Sequence, residues 1–233
     1  MKKLILIFAI LLSVLYANAQ DKKDTTQLPK LWSIGVKANA GASMIRYNFG
    51  SGALFTLTNK FQVAYNGGIF FNNILNDNES FCFEVLFVQM NGLFNLYESA
   101  TDSLGNPNGS FNQDEYTHLS YLSIPLYYRY RISDFSIALG LQVSYLLMSN
   151  EKNTISIIQT GYPNFDTTYV SKNLSISKFD YGPKLMLFYQ LSNKLSLNLD
   201  YYYGIQNLLL NTSATGFSIR NQQLSFGLAY KLY

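Results

Sequence analysis

The 233 residues contain a single histidine, His118, and a serine follows it two positions later. Residues two apart on a strand point to one side, so the imidazole at 118 could take the hydroxyl proton of Ser120 and activate it as a nucleophile. Such chemistry also needs an acid to orient the ring. Asp114 and Glu115 fall in what reads as the preceding loop, and the strand that follows has no outward Asp or Glu. Cys82, the sole cysteine, has no disulfide partner and shares no metal-ligand spacing with His118. Residues 102–109, DSLGNPNG, suggest a calcium loop but lack its terminal bidentate acid, and they read as turn-forming residues. Phosphate loops and nucleophile elbows do not occur. The expectation is therefore a protein without catalytic, metal or cofactor sites.

A second set of reactive side chains is more informative. Lys37, Glu84, Arg129, Arg131, Asp180, Lys184, Asp200 and Lys231 each occupy a polar position in a segment that alternates with apolar residues. If those polar positions share an enclosed side, the charges must be paired and hydrogen-bonded. Lys37, Glu84, Arg129, Asp180, Lys184 and Asp200 are accordingly expected to form one charge network. Arg131 and Lys231 also suit strand ends in water. Arg46 and Arg220 stand at the ends of the first and last segments and could hold lipopolysaccharide phosphates.

The segments that must carry these residues read as strands near 32–46, 59–72, 79–97, 116–132, 135–149, 177–190, 194–209 and 220–233. In the fifth, Phe135, Ile137, Leu139, Leu141, Val143, Tyr145 and Leu147 share one side, while Ser136, Ala138, Gly140, Gln142 and Ser144 share the other. The seventh repeats the pattern from Leu195 to Gln206. Six or seven uninterrupted apolar positions suit a tilted span of about 9–11 residues across a bilayer. The apolar columns carry no charge except Arg46, Glu79 and Arg220 near strand ends; an Arg or Lys at mid-membrane would cost about 2–4 kcal/mol. The connections 47–58, 98–115, 150–176 and 210–219 are long, whereas 73–78, 133–134 and 191–193 are short. Residues 150–176 contain two β-rich stretches around Gly161 to Asn164; a simple rigid loop is the plainer reading, and a hairpin ledge able to pair with a partner strand is the alternative.

Composition agrees with strands half exposed to lipid and ringed by aromatics: 13% of residues are charged and 16% aromatic. A net charge of +3, with no basic cluster, gives no reason to expect a nucleic-acid partner. Lys2 and Lys3, the apolar run Leu4 to Leu15 and Ala17-Asn18-Ala19 form a secretory signal. About 12 apolar residues fall short of the roughly 20 that a spanning helix needs. The reading is an all-β, eight-stranded antiparallel up-and-down transmembrane β-barrel over 32–233. A signal peptide at 1–19 and a periplasmic tail at 20–31 precede it. Both mature ends would be periplasmic, and the narrow interior is expected to be plugged.

Several stretches resemble the PorT-like family of outer-membrane β-barrel proteins from the Bacteroidetes. They are Gly35-Val36-Lys37-Ala38, Glu84-Val85-Leu86-Phe87, Tyr121-Leu122-Ser123-Ile124-Pro125-Leu126, Phe179-Asp180-Tyr181-Gly182, Tyr201-Tyr202-Tyr203-Gly204-Ile205 and Gly227-Leu228-Ala229-Tyr230-Lys231-Leu232. The proline within a strand is the most specific of these features. Family members typically end on a residue in phase with the outward column, whereas here Tyr233 is one step out of phase. The resemblance implies an outer-membrane structural or secretion-accessory component. Its partners would be outer-membrane lipid, lipopolysaccharide, and envelope or secretion-machinery proteins. A His-x-Ser pair also resembles the outer-membrane lipid A deacylases, which leaves a lipid-modifying enzyme and a small pore as alternatives.

Overall fold

Period-two alternation becomes nine antiparallel strands in the computed structural model, which describes residues 32–48, 56–101, 107–160, 162–172, 174–210 and 217–232. They are β1 (Trp32–Asn48), β2 (Thr56–Ile74), β3 (Glu79–Thr101), β4 (Pro107–Ile132), β5 (Phe135–Gln159), β6 (Phe165–Lys172), β7 (Phe179–Gln190), β8 (Leu195–Tyr203) and β9 (Ser218–Lys231). The signal segment 1–19, the tail 20–31, most of the calcium-like stretch and the terminal Tyr233 lie outside the described residues.

Eight strands pair in a circuit: β1 with β2, β2 with β3, β3 with β4, β4 with β5, β5 with β7, β7 with β8, β8 with β9, and β9 with β1. From Leu146 the partners run Tyr121, Val88, Asn66, Asn39, Gly227, Asn198, Phe188 and Ser136. The path returns to β5 ten residues from its start. That stagger obliges the strands to tilt.

The two faces of this sheet are inverted relative to a water-soluble protein. Leu139 and Leu141 of β5 are each 63% exposed, and Leu199 of β8 is 38% exposed, whereas Glu84 and Asp180 are fully buried. The large apolar residues therefore line the outside rather than a gap between stacked sheets. Inside, Cys82, Tyr127, Ala138, Met186 and Phe188 pack near the short turns. Leu86, Val88, Met90, Leu119, Tyr121 and Tyr202 pack toward the long connections. Gly92 of β3 faces inward, where a Cβ would lie 2.7 Å from the side chain of Ile45.

Three differences from the sequence reading have physical causes. The ladder continues past the apolar columns, so β4 starts at Pro107 instead of 116 and β5 ends at Gln159 instead of 149; backbone hydrogen bonding does not require lipid on either face. Part of the long connection 150–176 forms β6, paired with β5 from Asn150 to Ile157 as the hairpin reading of that stretch expects, which makes nine strands instead of eight. Conversely, β8 stops at Tyr203, short of 209. The chain then turns inward, burying Leu208 completely; its N–H donates to Ile219 O, and its carbonyl O accepts from Ser177 N–H. Pro125 also leaves a mark: Phe83 faces Leu126 and Leu86 faces Ser123, but the β3–β4 ladder is interrupted between them. A residue without N–H cannot complete that rung.

Candidate functional site

Inward alternation brings four ionisable side chains from four strands together. Lys37 Nζ of β1 lies 3.0 Å from Glu84 Oε1 of β3 and 2.7 Å from Asp200 Oδ2 of β8. Lys184 Nζ of β7 lies 3.7 Å from Glu84 Oε2 and 3.4 Å from Asp200 Oδ2. Two cations and two carboxylates form a neutral square whose side chains are at most 3% exposed. Buried charges demand further hydrogen bonds. Tyr127 OH donates to Glu84 Oε1 at 2.9 Å, while Asn39 Nδ2 and Asn198 Nδ2 donate to Asp200 at 3.2 and 3.1 Å. Glu84 sits at the rung that Pro125 interrupts. The square fills the interior between its two apolar clusters.

Arg129 and Asp180, expected in the same network, lie outside it. Arg129 Nη2 donates to Ser136 Oγ at 3.0 Å, and its guanidinium lies 4.3 Å from the centre of the Phe188 ring. Asp180 Oδ2 accepts from Asn221 Nδ2 at 2.8 Å, and the same amide donates to Tyr121 OH at 3.0 Å. Neither forms an ion pair among the described residues. A shared inward face does not mean a shared height: Asp180 and Lys184 are four residues apart on β7, about 13 Å along a strand. The hydrogen-bonding partners Asn39, Asn198 and Asn221 were legible only as polar members of the inward columns.

His118 and Ser120 project from the outward face of β4 but do not bond to each other. His118 Nδ1 lies 2.8 Å from Asn91 Oδ1, and Ser120 Oγ donates to Gln89 Oε1 at 2.8 Å. Gln89 Nε2 in turn donates to Asn91 Oδ1 at 3.0 Å. Carboxamides of β3 thus occupy the positions that an orienting acid and a general base contact would need. Gln89 and Asn91, two apart between the outward Phe87 and Leu93, were the overlooked sequence signal. Among the described residues, no group of three or more His, Cys, Asp and Glu could hold a metal ion.

Arg46 and Arg220 are direct cross-strand partners of β1 and β9. Arg46 Nη2 donates to the Tyr203 hydroxyl, and its guanidinium lies 5.1 Å from the centre of that ring. The tyrosine holds the first arginine in place beside the second.

Beyond the outward apolar columns, Glu115 faces the mouth at the long-connection end. Tyr47 OH donates to Glu115 Oε1 at 2.7 Å, and Thr117 Oγ1 donates at 3.3 Å. Burial pushes the Glu115 carboxyl up to about 7, and the nearby Glu151 charge adds to the rise. The carboxyl borders a cavity of about 330 Å³ with Tyr47, Phe94, Leu96, Leu209 and Ile219. On the same side β6 pairs, among the described residues, with β5 alone, and Phe165, Tyr169 and Val170 on it are exposed.

The chain is similar to Neisserial surface protein A, with 15% identity over 85% of this chain and 97% of that one, and a TM-score of 0.39. It is also similar to Ail, the attachment invasion locus protein of Yersinia pestis, with 11% identity over 86% and 97% and a TM-score of 0.36. For the outer membrane protease OmpT of Escherichia coli the values are 10% identity, 90% and 99% coverage, and a TM-score of 0.40. No curated protein matches the chain by sequence. Residues 18–210 match the model of the outer membrane protein beta-barrel domain, and the chain belongs to that family of integral outer-membrane proteins.

Proposed function

We propose that this protein is a non-enzymatic, closed eight-stranded barrel that spans the outer membrane as a sealed anchor and presents the β4–β5–β6 ledge to an envelope protein. The short turns and both mature ends then face the periplasm, and the ledge faces outward. The buried square of Lys37, Glu84, Lys184 and Asp200 supports a sealed interior. The observation that carries the binding role is β6, a strand with one ladder partner and an unpaired second edge among the described residues. An extended segment of a partner can add to such an edge through main-chain hydrogen bonds.

Successive residues of a strand aim their N–H groups to opposite sides, so either Thr168 or Tyr169 directs its N–H away from β5. A photo-crosslinking residue at Val170 should capture a defined protein in native membranes. Thr168→Pro and Tyr169→Pro should each be compared with the parent. The substitution that removes the outward N–H should abolish the adduct while β6 stays paired; capture unchanged by both substitutions would overturn the reading.

The resemblance to PorT-like proteins supports a secretion-accessory role for that contact. Deleting the gene should then alter the set of secreted proteins, and an unchanged set would remove that role. The carboxamide partners of His118 and Ser120 support the absence of deacylase chemistry. Lipid A mass spectra should be the same for His118→Ala and the parent, and a lost deacylated species would restore the enzyme.

A further inference from the structure

The short-turn mouth has a charge imbalance that the interior square does not. A cavity of about 360 Å³ opens there, and four cations line it: Arg129 and Arg131 of β4, Lys194 in the turn before β8, and Lys231 of β9. None of the four belongs to an ion pair among the described residues, where the salt bridges are those of the square. Arg129 is the most enclosed. It rests on Phe188 and donates to the Ser136 hydroxyl, and among the described residues no carboxylate pairs with its guanidinium. Arg131, the next inward residue of β4, adds a like charge and donates through Nε to Ser133 O at 2.8 Å. The two carboxylates at the rim, Asp77 and Glu79, neutralise none of these cations by direct contact; Glu79 Oε2 accepts from Asn76 Nδ2 at 2.7 Å. Ser33, Ser80 and Ser196 add hydroxyl groups to the wall.

Four cations around one concavity repel one another, and removing the inner ones from water has a cost that no carboxylate among the described residues offsets by an ion pair. An oxyanion would relieve both effects, because an arginine fork matches the paired oxygens of phosphate or carboxylate. We propose that the short-turn mouth is a binding site for a small oxyanion, a phosphate- or carboxylate-bearing solute, with Arg129 as its inner contact and Arg131, Lys194 and Lys231 around it. This inference stands independently of the β6 edge.

The test is calorimetric titration of the purified full-length protein in neutral detergent at low salt, with inorganic phosphate and citrate as separate probes. Saturable binding of at least one probe is expected, with phosphate alone marking a phosphate site and citrate alone a carboxylate site. Arg129→Met should weaken it by about tenfold or more, the loss of charge-assisted bonds. Arg129→Lys should lie between the two, because it keeps charge without the fork. Lys231→Met, at the rim and checked for folding by the heat-modifiable shift of the barrel on gels, should also weaken binding, whereas Lys172→Met on β6 should leave it unchanged. No saturable binding of either probe, or binding indifferent to both Arg129→Met and Lys231→Met, would overturn the proposal.

Discussion

Lys37 Nζ of β1 and Asp200 Oδ2 of β8 meet at 2.7 Å although 163 residues and the intervening strand β9 separate them. The contact crosses the space that the strands enclose and joins two parts of the circuit. Lys37→Met leaves Glu84 and Asp200 buried beside one cation instead of two. It should lower unfolding stability by about 3–5 kcal/mol, the range for breaking a buried pair. Combining Lys37→Met with Asp200→Asn restores neutrality and should recover part of the loss. Urea unfolding of the single and double variants in one detergent checks both statements; additive losses would argue against a coupled square.

Gly92 should resist enlargement because Ile45 occupies the space beside it. Gly92→Ala is expected to destabilise the protein by about 1–3 kcal/mol through overpacking. The space is taken by Ile45 Cβ and Cγ1, so Ile45→Ala, which removes Cγ1 but keeps Cβ, should relieve only part of it, as read by thermal unfolding of the four combinations. Equal stability of Gly92→Ala and the parent would show that the contact yields freely.

The strand pattern was largely legible because alternation in β5 and β8 reports which side meets lipid, whatever the height on the barrel. Leu139, Leu141 and Leu199 stand outside and Asp200 inside, as their phase requires. Height was not legible. Lys37, Glu84, Lys184 and Asp200 converge, while Asp180 and Arg129, in equally inward phase, find Asn221 and Ser136 instead. Resolving that difference requires the stagger between strands, which no single strand encodes. The ends of β4 and β5 were also hidden, because Gln113 and Asn153 continue a ladder after the outward apolar residues that mark a strand have ended.

Glu115 should give the long-connection mouth a pH dependence. Its folded pKa of about 7 lies above the ordinary 4.5, so the folded state binds more protons between those values. Stability therefore falls as pH rises from 4.5 to 7 and levels off above, by on the order of 2 kcal/mol. Facing groups are Tyr47 of β1, Thr117 of β4 and Glu151 of β5. Glu115→Gln should flatten the profile of hydrogen exchange in this region. An unchanged slope in that variant would assign the effect elsewhere.

Arg46 and Arg220 face each other across the β1–β9 ladder on the outward side. Two guanidinium groups held side by side are expected to retain lipopolysaccharide through its phosphates. Replacing both with Ala should reduce the lipopolysaccharide that co-purifies, measured against protein by mass spectrometry, by severalfold. Co-purification equal to the parent would dispose of the contact.

The sealed interior is tested most directly by recording purified protein in a planar bilayer. On the sealed reading proposed above, the buried square of Lys37, Glu84, Lys184 and Asp200 blocks the interior, so the trace should stay at baseline without steady single-channel steps. Steps of uniform size that scale with salt concentration would contradict the account and show a conducting pore.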